Sequence, residues 1–150
     1  MAAVAGGAVT ISRRADYAVL AAIELAQAQT GVLITLRELA ARQEIPEKYL
    51  EQVLRALRTA GLVTATRGSQ GGYQLTRPPK EISVLDLYEA AEGPVEVEAL
   101  EHQSRPGPMV VYDLWESTAA VLRAHLTSLT LADLVKRYRA NLDQGESWVI

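Results

Sequence analysis

Residues 35–75 read TLRELAARQEIPEKYLEQVLRALRTAGLVTATRGSQGGYQL, and the order of signals in this stretch decides the fold. Thr35-Leu36-Arg37-Glu38 is a capping-box pattern, in which the threonine hydroxyl takes an orphan backbone N–H and the glutamate reaches back to the cap. It predicts a helix from Leu36 to about Gln43. Pro46 suits the first position of a second helix, where its missing N–H costs nothing. That helix is expected from Glu47 to about Ala60, with Tyr49, Leu50, Val53, Leu54 and Leu57 on its buried side and Gly61 as its C-terminal stop. Two helices joined by so short a turn have helix-turn-helix spacing. Leu62-Val63-Thr64-Ala65-Thr66 alternates and is β-branched, which predicts a strand. Arg67-Gly68-Ser69-Gln70-Gly71-Gly72 is the hairpin loop and Tyr73-Gln74-Leu75 the return strand. A β-hairpin directly after a helix-turn-helix is a winged helix.

Upstream, Tyr17, Leu20, Ala21, Ile23 and Ala28 recur at helical spacing from Asp16, and Gly31 is expected to end that helix. Val32-Leu33-Ile34 is β-prone but too short to stand alone. Downstream, Ser83-Val84-Leu85-Asp86 is a second capping box, opening a helix to about Glu92 that Gly93-Pro94 breaks. Residues 94–108 carry three prolines and a glycine and read as a loop. Val111, Trp115, Thr118, Leu122 and Leu126, flanked by Leu114 and Val121, form the apolar stripe of a long helix. Thr130-Leu131-Ala132-Asp133 is a third capping box, opening a last helix to about Ala140. The expected class is mainly α with a small β-hairpin: a disordered tail over 1–10, a winged helix-turn-helix over 11–80, a linking helix and acidic loop over 81–108, dimerisation helices over 109–140 and a tail over 141–150.

The chain has 150 residues, 49% of them hydrophobic and 22% charged, ample for a packed core. It has no cysteine, which excludes disulfides, thiolate nucleophiles and cysteine-held zinc or iron–sulfur groups. No apolar run is long enough to span a membrane. Arg13 and Arg14 follow the apolar N-terminal residues, the reverse of a secretory signal, so a soluble cytoplasmic protein is expected. The net charge of −3 hides an asymmetry. Ser12 to Arg77 holds nine Lys/Arg against six Asp/Glu, whereas Pro78 to Ile150 holds six against twelve. The basic half suits phosphate, and the acidic half would face away from it.

The helix from Glu47 offers Glu47, Lys48, Glu51, Gln52 and Arg55 in its first turns, where a recognition helix reads bases in the major groove. Glutamine can pair with adenine, glutamate can accept from the cytosine amino group, and lysine or arginine suit guanine or phosphate. Taken alone, these residues equally fit a solvated helix face. The hairpin loop shifts the balance. Arg67 stands at its base, where the negative potential of a narrow minor groove attracts a guanidinium, and its glycines allow positive φ and close backbone approach. Arg55 and the backbone at Gly71 and Gly72 are then expected beside the DNA backbone. No Gly-Lys-Ser/Thr follows the loop, which disfavours a nucleotide-phosphate loop. Ser12, Arg13, Arg14 and Tyr17 could meet phosphates at a helix start, or else Arg13 and Arg14 are solvated and Tyr17 is core.

Enzymatic constellations are poor. His102 and His125 lie outside any ligand-spaced cluster, and no cofactor motif or metal set is expected. The seven acidic residues from Glu81 to Glu101 have no Lys or Arg among them. They could hold a cation or do acid–base work, but read better as a solvated surface that repels DNA. The apolar helix carrying Val111, Trp115, Leu122 and Leu126 exceeds what a winged helix needs to close its core. It is expected to form a two-fold dimer that presents two reading heads to a palindromic site.

The segments Arg13-Arg14-Ala15-Asp16-Tyr17-Ala18-Val19, Tyr49-Leu50-Glu51-Gln52, Arg67-Gly68 with Gly71-Gly72-Tyr73, and Thr130-Leu131-Ala132-Asp133-Leu134 resemble the Rrf-two family over about residues 11–138. Its members include an iron–sulfur cluster regulator, a nitric-oxide-sensitive repressor and a cysteine-metabolism repressor. The resemblance implies a dimeric winged-helix transcription factor joined through its long helix. By that resemblance Glu51 and Gln52 would read the major groove and Arg67 the minor groove, with Lys48, a base-reading candidate by its place on the helix, near the backbone. Tyr49 and Ser12–Arg14 would lie near the DNA backbone. Cluster-binding members carry three cysteines in the loop before the long helix, commonly with a histidine after them. Leu100 and Met109 stand where the first and last cysteines would be, and Tyr112 where the histidine would be. A second ligand set nearer the N-terminus is matched by Asp16 but not by Leu20. The resemblance therefore implies a cluster-free repressor that answers to a small metabolite or a regulatory protein, with the 94–108 loop as the place to look. The competing reading is a protein-interaction module whose acidic half docks a partner enzyme.

Overall fold

The computed structural model describes residues 11–98 and 104–147. Helix α1 (Arg13–Gln27) leads to the pair α2 (Leu36–Gln43) and α3 (Glu47–Thr59), then the strands β1 (Val63–Thr66) and β2 (Gly72–Leu75). A 3-10 turn (Pro79–Glu81) precedes α4 (Val84–Glu92), the long α5 (Pro106–Ser128) and α6 (Leu131–Ser147).

Helix α1 starts three residues earlier than Asp16 because Ser12 is its N-cap, the hydroxyl accepting from the Ala15 N–H at 3.3 Å. It ends before Gly31, at Ala28, whose backbone is extended. Its inner face is made mostly of small residues, Ala15, Ala18, Ala21 and Ala22. These let α3, α4 and α6 all pack closely around it. Leu39, Leu50, Leu54, Leu57, Ile82, Leu87 and Leu131 complete the core.

Thr35 caps α2 by accepting from the Glu38 N–H at 3.1 Å. The turn to α3 passes through Glu44 in the left-handed conformation (φ 53°, ψ 42°) and the buried Ile45. Pro46 is the N-cap of α3 rather than its first residue. Tyr49, expected on the buried side, is 55% exposed. It lies about 100° around the axis from Leu50, outside the stripe of Leu50, Val53, Leu54 and Leu57. The turn is braced from α1 by Glu24, the one buried charged residue among those described. Its carboxylate accepts from the Gln43 side-chain amide and lies 3.7 Å from the Arg42 guanidinium.

β1 and β2 pair antiparallel, from Val63 opposite Leu75 to Thr66 opposite Gly72. The short run before α2 adds one rung: Ile34 and Tyr73 exchange both backbone bonds, at 3.0 and 2.8 Å. Two loop glycines have an internal reason to be there. A Cβ on Gly71 would sit 2.0 Å from the Thr66 carbonyl oxygen, and one on Gly72 (φ 154°) 2.8 Å from that of Ile34.

In the second half both capping boxes form. Ser83 and Asp86 exchange bonds of 3.0 and 2.9 Å, and Thr130 and Asp133 bonds of 3.1 and 2.9 Å. Ser83 and Thr130 are themselves bridge partners, with Val84 donating to Leu129 and Leu131 to Ile82, both at 2.8 Å. The helices α4 and α6 therefore start side by side. Pro106 to Pro108, expected in the loop, instead form the first turn of α5, where proline lacks nothing it would need. Helix α6 continues past Ala140 to Ser147, so most of the segment expected as a patternless tail is helical. The expected tail 1–10, Leu100 and His102 lie outside the described residues. Among the described residues no helix is long and apolar enough to cross a membrane.

Two consequences are measurable. Glu24→Ala leaves the Gln43 amide without its acceptor beside the core and should cost about 1–3 kcal/mol. It should lower the urea midpoint without changing the slope; an unchanged midpoint would mean that the brace is solvated away. The carboxyl of Asp133 is held below its ordinary value of 3.8, first by the Thr130 N–H and then by the Thr130 hydroxyl, with Arg137 and Lys136 adding to this. A lowered folded pKa gives stability that is present above the unfolded value and lost as pH falls through the folded one. Thermal melts of Asp133→Asn should therefore decline less steeply than those of the parent below about pH 4, and parallel declines would contradict this.

Candidate nucleic-acid interface

The burial of Leu50, Val53, Leu54 and Leu57 forces the other face of α3 outward. Glu47, Lys48, Tyr49, Glu51, Gln52, Arg55 and Arg58 are all exposed on it. Arg67 is exposed at the start of the wing loop, before Gly68 at φ 112°. Between α3 and the wing runs an open cleft of about 570 Å³. It is lined by Glu51, Arg55 and Arg58 from the helix and by Arg67, Gly71 and Gly72 from the wing. Five of the residues expected from sequence thus converge on one cleft. Gln52 lies beside it, in a shallow groove that α3 shares with Glu89 and Ala90 of α4.

The cleft holds three guanidinium groups against one carboxylate, and that carboxylate is partly occupied: Glu51 Oε1 lies 3.8 Å from Arg55 Nη2. Lys48, Arg58 and Arg67 make no ion pair among the described residues. Arg58 was not singled out from the sequence. Its spacing from Glu51 and Arg55, seven and three residues on, was the available signal, because those intervals return to one helix face.

The N-terminal segment stands apart from this cleft. The Ser12 hydroxyl caps α1 and donates to the Glu92 carboxylate on α4. Arg13 lies 3.9 Å from Asp16, Arg14 is exposed, and Tyr17 packs against the core. On the long helix only Ala119 is buried. Val111 is 38% and Trp115 52% exposed, while Leu122 and Leu126 are half-buried. Val110 and Val121, 67% and 70% exposed, widen the apolar surface beyond the expected stripe. So large an exposed apolar surface on one helix marks a contact site.

Comparison with known proteins identifies the family and the fold. The profile of the Rrf2 family, described as an iron-dependent transcriptional regulator, matches residues 11–137. A Mycobacterium tuberculosis chain named as an HTH-type transcriptional regulator is 39% identical over 128 residues, covering 83% of this chain and 80% of its own. The HTH-type transcriptional regulator IscR of Cereibacter sphaeroides is 36% identical over 134 residues, covering 84% and 86%. Among solved structures, CymR (YrzC), the global cysteine regulator of B. subtilis, superposes with a TM-score of 0.73 at 34% identity, covering 87% of this chain and 98% of that one.

The iron in the family description calls for a test of the donors present. The chain has no cysteine. Met109 and Tyr112, at two positions where by resemblance the cluster-binding members carry ligands, lie in the first turns of α5, and Met109 is 49% exposed. Among the described residues no three His, Asp or Glu side chains come together as a metal site. A thioether and a phenol do not replace thiolates, so the residues do not fit a cysteine-held cluster. With its winged-helix architecture and its match along most of the chain, this protein belongs to the Rrf2 family of DNA-binding transcriptional regulators, as a member without cysteine.

Proposed function

We propose that this chain is a homodimeric, sequence-specific repressor that acts in the cytoplasm on a palindromic operator without an iron–sulfur cluster. The observation that carries the reading is the cleft in which the exposed face of α3 and Arg67 of the wing meet. Lys48, Glu51 and Gln52 read base edges in the major groove, and Arg67 enters the adjacent minor groove. Tyr49, Arg55 and the backbone at Gly71 and Gly72 lie along the phosphates. Within Ser12–Arg14, Arg14 is the member with neither a cap nor an ion pair to give up among the described residues. On this reading residues 11–80 are the reading head, 81–108 the sensing linker and 109–140 the dimerisation unit.

The apolar face of α5 supports dimerisation, since Val110, Leu114, Trp115 and Val121 stay exposed, with nothing among the described residues to cover them. The signal is a small metabolite or a regulatory protein acting at the linker after α4. Two contacts tie that linker to the rest: Arg123 of α5 donates to the Val95 carbonyl at 2.6 Å, and Glu92 at its start accepts from Ser12 at the head of α1.

Selection of binding sites from fragmented genomic DNA, with the purified protein and nothing added, should enrich a two-fold symmetric motif. Absence of enrichment by a folded dimer would move the function to protein contacts. Arg67→Ala should weaken binding to the selected site by about 1–3 kcal/mol with an unchanged melting temperature. Undiminished binding would remove the wing from the interface. Trp115→Glu should turn a sedimenting dimer into a helical monomer, whereas a persistent dimer would place the seam elsewhere.

A further inference from the structure

We propose that the cleft between α3 and the wing seats one strand of the DNA backbone, and that Arg58 is the cation that binds its phosphate. The inference rests on the DNA-binding reading above and deepens it. With α3 in a major groove and Arg67 in the neighbouring minor groove, the sugar-phosphate strand that divides the two grooves has to pass between helix and wing. The space between them is the cleft of about 570 Å³, walled by Arg55 and Arg58 on one side and by Thr66 and Arg67 on the other. The start of α2, at Thr35 and Leu36, also lines it, bringing the positive end of a helix dipole to the same space.

The three arginines are not equivalent. Arg67 belongs to the wing that enters the minor groove. Arg55, which also lies along the phosphates, faces Glu51 across 3.8 Å, so part of its charge offsets a base-reading carboxylate that phosphates would otherwise repel. Arg58, one turn further along α3, is exposed and has no carboxylate within ion-pair distance among the described residues. Its guanidinium offers the planar pair of donors that fits a phosphate, and it has no internal bond to break first.

The contact carries no sequence information, so its signature is electrostatic. Binding of Arg58→Gln and Arg58→Lys is measured by fluorescence anisotropy against the selected operator and against a mixed-sequence duplex, across a sodium chloride titration. Arg58→Gln should weaken both complexes by the same factor and reduce the slope of log affinity against log salt by about one. Arg58→Lys, which keeps the charge, should restore the slope. A purely structural role at the C-terminal end of α3 would move the melting temperature and leave the slope in place. A slope for Arg58→Gln parallel to that of the parent overturns the proposal, as does a loss confined to the operator. If the parent binds neither duplex, the DNA-binding reading itself fails.

Discussion

Two backbone hydrogen bonds between Ile34 and Tyr73 join the wing to the segment that leads into α2. Everything on the reading side is set from this clasp. Thr35, the next residue, caps α2, so the rung that holds the wing also fixes where the helix-turn-helix starts. At the far end of α3, Gly61 turns the chain into β1, and Thr76 returns across it, its N–H bonding Leu62 and its hydroxyl the Gly61 carbonyl at 2.7 Å. The two helices and the hairpin thus form a closed circuit. A shift of α3 against the wing would have to break backbone bonds at one of these two points, and the width of the basic cleft is fixed accordingly. Gly72 is the residue on which the clasp turns, since any side chain there would push against Ile34.

The parts of this design legible in the sequence are those written in local chemistry. Capping residues announce α2, α4 and α6, Gly61 announces the end of α3, and the glycine loop announces the wing. Each acts within a few residues, where spacing alone determines geometry. What could not be read depended on contacts across the fold. A serine before two arginines suits a helix cap and a phosphate equally well, and only the approach of Glu92 assigns its hydroxyl. Pro106 and Pro108 look like loop residues unless they fall in the first turn of a helix, which is where α5 puts them. The last turns of α6 carry a single large apolar residue, Leu142, so no apolar stripe announces them.

The glycines of the wing teach a related lesson. Three in one loop suggest a backbone kept bare for an outside surface. Gly71 and Gly72 are instead bare because Thr66 and Ile34 lie against them. Only Gly68, with open space around its Cβ position and φ of 112°, is free of such a neighbour. The sequence signal was sound, but its cause lies within the chain. Likewise the exposed face of α3 follows from its buried stripe, yet only the fold brings Arg58 to the same cleft as Arg67 of the wing.

The bridge between Ser83 and Thr130 has a topological consequence. Residues 84–129 begin and end at this bridge, a loop of chain tied shut at its base even though α4 within it packs on α1 and α3. Closing a longer loop of chain costs only slightly more entropy. The entropy of closure therefore sets little constraint on how many residues lie between α4 and α5. Such an arrangement lets that connection change length while the paired starts of α4 and α6 stay in place.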